Sequence, residues 1–86
     1  MPSEQEQQSV TVRYWAGARA AAGADCDVIT GCATVGDALA AATALRPGLA
    51  PVAAVSSLLL DGRAAQRSDV LPAGAVVEVL PPFAGG

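Results

Sequence analysis

Thr34-Val-Gly-Asp-Ala-Leu-Ala-Ala-Ala-Thr-Ala-Leu-Arg-Pro47 carries the one sustained helical period in the chain. Val35, Ala38, Leu39, Ala42 and Leu45 recur at i, i+3, i+4, i+7 and i+10, which places them on one helical face. Thr34 is a favoured N-cap, and Asp37 can act as a short-armed capping-box acid. Arg46-Pro47-Gly48 ends the helix, because the residue before proline is pushed out of the α region.

The segments on either side read as strands. Val10 to Trp15 is rich in β-branched and aromatic residues, with Val10, Val12 and Tyr14 on one face and Thr11, Arg13 and Trp15 on the other. Ala16 to Gly23 reads as a hairpin connection to a second strand, roughly Ala24 to Thr30, with Cys26, Val28 and Thr30 on one face. A turn at Gly31 follows. Residues 49–56 are ambiguous: Pro51 argues against a regular strand and leaves room for a short helical turn. Ser57 to Leu60 reads as a short buried strand, and Asp61-Gly62 as a hairpin turn with a return arm at Ala64 to Arg67. After a turn at Leu71–Gly74, Ala75 to Leu80 reads as the last strand, with Val77 and Val79 inward and Glu78 outward. The order strand, strand, helix, strand, short strand, strand is that of an α+β mixed sheet with one main helix packed across one face. Residues 1–9 read as a disordered leader, 10–80 as the folded domain and 81–86 as a flexible tail.

Composition narrows the function. The chain has 86 residues, room for one core, and 52% are hydrophobic while only 3% are aromatic. Five arginines stand against eight acids, with no lysine and no histidine, for a net charge of −3. That balance cannot build the basic stripe that binds phosphate backbones, and it disfavours an anionic membrane surface. A positively charged partner surface is the better match. Without His the commonest general base and metal ligand are missing. Cys26 and Cys32 are six apart, which is neither a CxxC motif nor a zinc knuckle; Cys26 reads as a small core residue and Cys32 as a turn residue. The acidic start Met1–Gln8 is no secretory signal, and no apolar run approaches the ~20 residues that span a bilayer, so a cytoplasmic setting is the default.

The site candidate is the end of the chain. Pro81 and Pro82 cannot donate to a ladder and carry the chain out of the sheet in an extended form. Phe83, the one Phe, falls in the tail, where an exposed aromatic suits a partner's pocket. Ala84, Gly85 and Gly86 follow as the thinnest polypeptide available, able to thread a narrow channel and present the Gly86 carboxylate. A frayed terminus with no role is the plain alternative.

Taken together, Val12-Arg-Tyr-Trp-Ala16 with Arg19 and Gly23, Thr34-Val-Gly-Asp-Ala-Leu39, Leu60-Asp-Gly-Arg63 and above all Leu80-Pro-Pro-Phe-Ala-Gly-Gly86 resemble the small sulfur-carrier subunit of molybdopterin synthase, a ubiquitin-like family with the β-grasp fold. The likeness covers nearly all of residues 10–86. Trp15 and Phe83 stand where Phe and Val are common, and Ala20 and Ala75 where acids are. The resemblance implies a reactant more than a catalyst, without activity alone. An E1-like activating enzyme using ATP with Mg would adenylate Gly86, sulfur would displace AMP, and the Gly86 thiocarboxylate would donate sulfur to a pterin precursor inside the synthase's large subunit. Gly85 is expected to matter beside Gly86, and Pro81, Pro82, Phe83 and Ala84 to meet the partner. The chain itself would bind no cofactor and no metal.

Three rivals stay open at this level. A carrier for thiamine or cysteine biosynthesis has the same tail chemistry. An interaction module would use an apolar sheet face and carry an inert tail; such a face, bare of its partner, also allows a homo-oligomer of the isolated chain. An enzyme acting alone would need Asp25, Asp27, Asp61 and Glu78, which read as solvated loop or strand positions.

Overall fold

In the computed structural model, residues 8–82 are described. Most of the expected leader and Phe83–Gly86 of the tail therefore lie outside the described residues.

Alternation along β1 (Ser9–Tyr14) buries Val10, Val12 and Tyr14 and leaves Arg13 outward, as the pattern predicts. With β2 (Cys26–Thr30), β3 (Ser57–Leu60), β4 (Arg63–Ala65) and β5 (Val76–Leu80) it forms one sheet in the order β2-β1-β5-β3-β4. The β1–β5 pair is parallel and the others are antiparallel. The first and last strands are thus neighbours in the middle of the sheet. This is the β-grasp sheet, and all the buried apolar side chains form one cluster on its helical side.

The main helix is α2 (Val35–Leu45). Thr34 Oγ1 accepts from the Asp37 N–H at 3.1 Å and Asp37 Oδ2 accepts from the Thr34 N–H at 3.2 Å, closing the capping box. Val35, Ala38, Leu39 and Ala42 are buried on it, whereas Leu45 is 60% exposed. At 3.6 residues per turn, ten residues carry Leu45 about 80° away from the direction of Val35 and off the sheet.

Two further helices add to the sequence reading. The connection between the antiparallel β1 and β2 is itself helical, α1 (Ala16–Ala22), with Ala18 and Ala22 buried. Alanine is the best helix former, and Gly23, at φ 76°, closes the helix by donating to Arg19 O at 2.9 Å. The ambiguous stretch forms a 3-10 turn (Pro47–Leu49) and α3 (Ala50–Val55), burying Leu49 completely. Pro51 sits in the first turn of α3, where a missing N–H costs nothing. Gly48 passes so close to α1 that a Cβ there would stand 2.9 Å from Ala21 O.

β2 shows its expected core face to solvent. Cys26, Val28 and Thr30 are exposed, while Ile29 is buried and Asp27 half-buried. Cys26 is therefore not a core residue. Cys32 follows the bend at Gly31 and packs half-buried against the core, which raises its thiol above the usual range by desolvation, aided by the nearby Asp37 charge. At the other side of the sheet, Asp61 and Gly62 both take positive φ (50° and 84°), the geometry of a type I′ hairpin turn. β4 stops at Ala65, two residues before the expected end of the return arm; the Gln66 N–H turns away to donate to Asp69 Oδ2 at 2.9 Å. β5 is as expected, with Val77 and Val79 fully buried and Glu78 outward.

Candidate functional site at the root of the C-terminal tail

β5 ends at Leu80, which pairs with Ser57 of β3 on one side. On the other side the Trp15 N–H donates to Val79 O at 3.2 Å, the last bond before the prolines. Pro81 is half-buried, its Cγ 4.0 Å from where a Cβ on Gly17 would lie, and Pro82 is exposed. Both prolines lack the N–H a ladder needs, so the chain leaves the sheet from its central strand. Phe83, Ala84, Gly85 and Gly86 lie outside the described residues.

Three side chains frame this exit on the open face. Trp15 Nε1 donates to Glu78 Oε2 at 2.9 Å, and the Arg13 guanidinium lies 5.6 Å from the Trp15 ring centroid, within cation–π range. Trp15 nevertheless remains 40% exposed. Ala16, immediately after it, takes a φ of 48°, a left-handed conformation unusual for a residue with a Cβ. Composition and spacing missed this frame. Arg13 and Glu78 are 65 residues apart, and only the β1–β5 register makes them neighbours.

Below the exit, on the helical side, a polar clamp fixes the end of β1. The Tyr14 hydroxyl donates to Asp27 Oδ2 at 2.7 Å, and Arg46 at the end of α2 donates to both Asp27 oxygens from Nε (3.1 Å) and Nη2 (2.8 Å). Asp27 is thus no solvated strand position. Arg46 chiefly, with help from Tyr14, holds its carboxyl below the usual carboxylate range. Burial first, and then the bond to Asp27, holds the Tyr14 phenol well above its usual value.

The signs follow by linkage. A depressed carboxyl contributes stability above its unfolded value, about pH 4, that fades as pH falls through the lower folded value. A raised phenol contributes stability below about pH 10 that fades as pH climbs through the higher folded value. Asp27→Ala also strands the Tyr14 hydroxyl, a cost of about 1–3 kcal/mol at neutral pH. In urea titrations the gap between this variant and the native chain should be full near pH 7 and narrow at pH 3. A gap independent of pH would refute the ionic role of Asp27.

The other acids considered for an enzyme site are engaged locally. Asp25 lies 3.8 Å from Arg19 in an exposed pair, Asp61 Oδ1 accepts from the Val76 N–H at 2.9 Å, and Glu78 holds Trp15. Among the described residues no group of three or more His, Cys, Asp or Glu could hold a metal ion, and no helix is long and apolar enough to cross a membrane.

Residues 12–86, which run from mid-β1 through the tail to its last glycine, match the ThiS family. The chain belongs to the ThiS family. It is a ubiquitin-like chain of the sulfur-carrier kind, and solved structures with the same fold agree. SAMP1 from Haloferax volcanii superimposes with a TM-score of 0.82 at 28% identity, covering 91% of this chain and 99% of that one. A putative molybdopterin converting factor subunit 1 from Pyrococcus furiosus gives 0.77 at 26% identity over 87% and 98% of the two chains. In fold alone, the ThiS-family chain is also similar to the complex of subunits 1 and 2 of the molybdopterin-converting factor from Helicobacter pylori, with a TM-score of 0.67 at 23% identity over 91% and 99%. Comparison with curated proteins gives no match.

Proposed function

We propose that this ThiS-family chain carries sulfur on its C-terminus for molybdenum cofactor assembly. The observation that carries the reading is the exit of the central strand at Leu80 into a Pro-Pro-Phe-Ala-Gly-Gly end, within a family match that runs to Gly86. A carboxylate is a poor acyl donor. An E1-like partner would join the Gly86 carboxylate to AMP from Mg-ATP, releasing pyrophosphate. A sulfur nucleophile would then displace AMP and leave a thiocarboxylate. The tail would enter a large catalytic subunit, where that sulfur passes to a pterin precursor. Likeness to a molybdopterin converting factor subunit 1 supports this branch over thiamine or cysteine assembly. In this chain the fixed φ of Pro81 and Pro82 lowers the entropy lost on docking, and the glycines leave the terminal atoms uncrowded.

A second reading, covalent modification of other proteins, is favoured by the likeness to small archaeal modifier protein 1. In it an amine of another protein attacks the activated Gly86. With no lysine of its own, this chain offers no side-chain amine for further copies, so each conjugate would carry a single unit.

The test is intact mass with C-terminal fragmentation after incubation with ATP, a sulfur donor and the cognate activating enzyme. Exchange of one oxygen for sulfur on Gly86 is expected, followed by its loss when large subunit and pterin precursor are added. Fragmentation separates this from Cys or Met oxidation, whose mass shift is nearly the same. An unmodified Gly86, under conditions that modify a known carrier, sinks the reading.

A further inference from the structure

β2 and β4 are the two edges of the sheet, and they differ in what they leave open. β4 is three residues long, begins at Arg63 and ends where the Gln66 N–H turns to Asp69. A short, charged edge offers little to a second strand. β2 has five residues and neither of these guards. Its exposed side chains are Cys26, Val28 and Thr30, with Val28 66% exposed. Asp27, its one charge, lies on the helical side, where Arg46 and Tyr14 hold it.

The ladder fixes where the backbone groups of β2 point. The Tyr14 N–H donates to Asp25 O, so hydrogen bonds join β1 and β2 at that pair. The Thr11 N–H turns the other way, to Ala75 O beside β5. Antiparallel pairs alternate, so Asp27 and Ile29 direct their N–H and C=O groups to β1. Cys26, Val28 and Thr30 aim theirs at the open edge. Among the described residues, the one partner on that side is the Cys32 thiol, 3.9 Å from Thr30 O.

We infer that the β2 edge is a self-association site, where a second copy of this chain adds its own β2 antiparallel about a two-fold axis at Val28. The edge is self-complementary. Val28 faces Val28 of the second copy and Cys26 faces its Thr30. Three residues on each copy, each with one N–H and one C=O, then close six hydrogen bonds. A two-fold at Asp27 or at Ile29 brings only two of the three into pairs. No exposed charge meets a like charge, and the β-branched Val28 and Thr30 suit a pleated pair. The pairing uses both β2 edges and leaves the guarded β4 edges outermost, so assembly closes at two copies. The tail leaves from β5, two strand spacings or about 10 Å in from this edge, so the pairing does not run through its exit. Two short edges bury less than the ~1,200 Å² of stable complexes, which makes the dimer weak and concentration-dependent. Each copy carries a net charge of −3, so salt screens the repulsion that opposes pairing.

The experiment is sedimentation of the full chain in reducing buffer, from micromolar to millimolar, beside amide exchange. The mass should rise toward twice the monomer with concentration and with salt. The Cys26, Val28 and Thr30 amides should exchange more slowly as it does. Val28→Pro removes one outward N–H per copy and leaves the β1 ladder intact, so it should weaken the dimer roughly ten- to hundred-fold in a folded chain. Val28→Lys sets like charges face to face and should do the same if the proline disturbs the strand. Leu59→Lys, on the open face beside Glu78, should not. Cross-linking reads the register. Under mild oxidation Thr30→Cys should link to Cys26 of the second copy. The native chain should not, because its two Cys26 residues stand about 14 Å apart, beyond the reach of a disulfide.

A chain that stays monomeric throughout, a dimer that survives both Val28 variants, or one lost in Leu59→Lys overturns the inference. So does association that weakens with salt, and a native chain that links Cys26 to Cys26 overturns the register. Edge amides protected equally at every concentration overturn it in favour of this chain's own ends as occupant. Gly86 takes no part, so this result and the sulfur-carrier reading fail separately.

Discussion

Deletion of Gly86 is expected to leave folding stability within about 0.5 kcal/mol of the native chain and to remove sulfur transfer entirely. The reason for the first part is topological. β5 finishes at Leu80, every residue of the buried cluster lies at or before Val79, and the last partly buried position of the described chain is Pro81. The second part follows from the chemistry proposed for the terminus, since a chain ending at Gly85 presents its carboxylate one residue short of the reacting position. Gly86→Ala tests the same point more gently: it keeps the length and adds a Cβ where the tail must thread a channel. The readout is thermal melting alongside reconstituted sulfur transfer. Loss of activity together with a large fall in melting temperature would assign the tail a structural role instead. Full activity in either variant would refute the carrier chemistry, and would suit an interaction module whose tail is inert.

The largest effect on stability is expected at Leu49. It is fully buried in the 3-10 turn between α2 and α3, among a core made mostly of Val and Ala. Small neighbours cannot reach into the space a missing isobutyl group leaves, and the close pass of Gly48 under Ala21 O resists collapse of the backbone. Leu49→Ala should therefore cost about 2–5 kcal/mol. For a domain of this size that lowers the melting temperature by roughly 10–25 °C. Leu45→Ala is the matched control, because Leu45 is largely exposed on the neighbouring helix. Its effect should stay within about 0.5 kcal/mol. Equal losses at the two positions would show that the turn is not the keystone its burial indicates.

The parts of the fold legible in sequence were those with a strong period or a specific turn. The alternation Val10, Val12, Tyr14, the capping box at Thr34 and Asp37, and the Asp61-Gly62 hairpin each carry a local physical reason that tertiary packing did not overrule. α1 was hidden because its buried residues are alanines, which give no apolar contrast along the helix. The period groups Leu45 with the apolar face of α2, but ten residues is far enough for the helix to drift, and Leu45 is largely exposed. β2 was read on the wrong face because Val28 outweighs Asp27 when only apolarity is counted. The clamp from Arg46 and Tyr14 is what lets a carboxylate face inward, and neither partner is near Asp27 in sequence. Pro81 and Pro82 were correctly read as the point where the chain leaves the sheet. The frame of Arg13, Trp15 and Glu78 around that point depends on which strands are neighbours.

The parallel pairing of β1 with β5 bears on how the protein is made. A strand that completes the centre of the sheet is synthesised last, so β1 and β2 wait on the ribosome as a hairpin with one open flank until the chain is finished. Contacts between the first and last strands span most of the sequence, which slows folding but makes it all-or-none. A product terminated before Val76 lacks the middle of its own sheet and is left for proteolysis. A molecule that does fold carries its chain at least through β5, so the folded state itself certifies that the strand leading to the tail has been made.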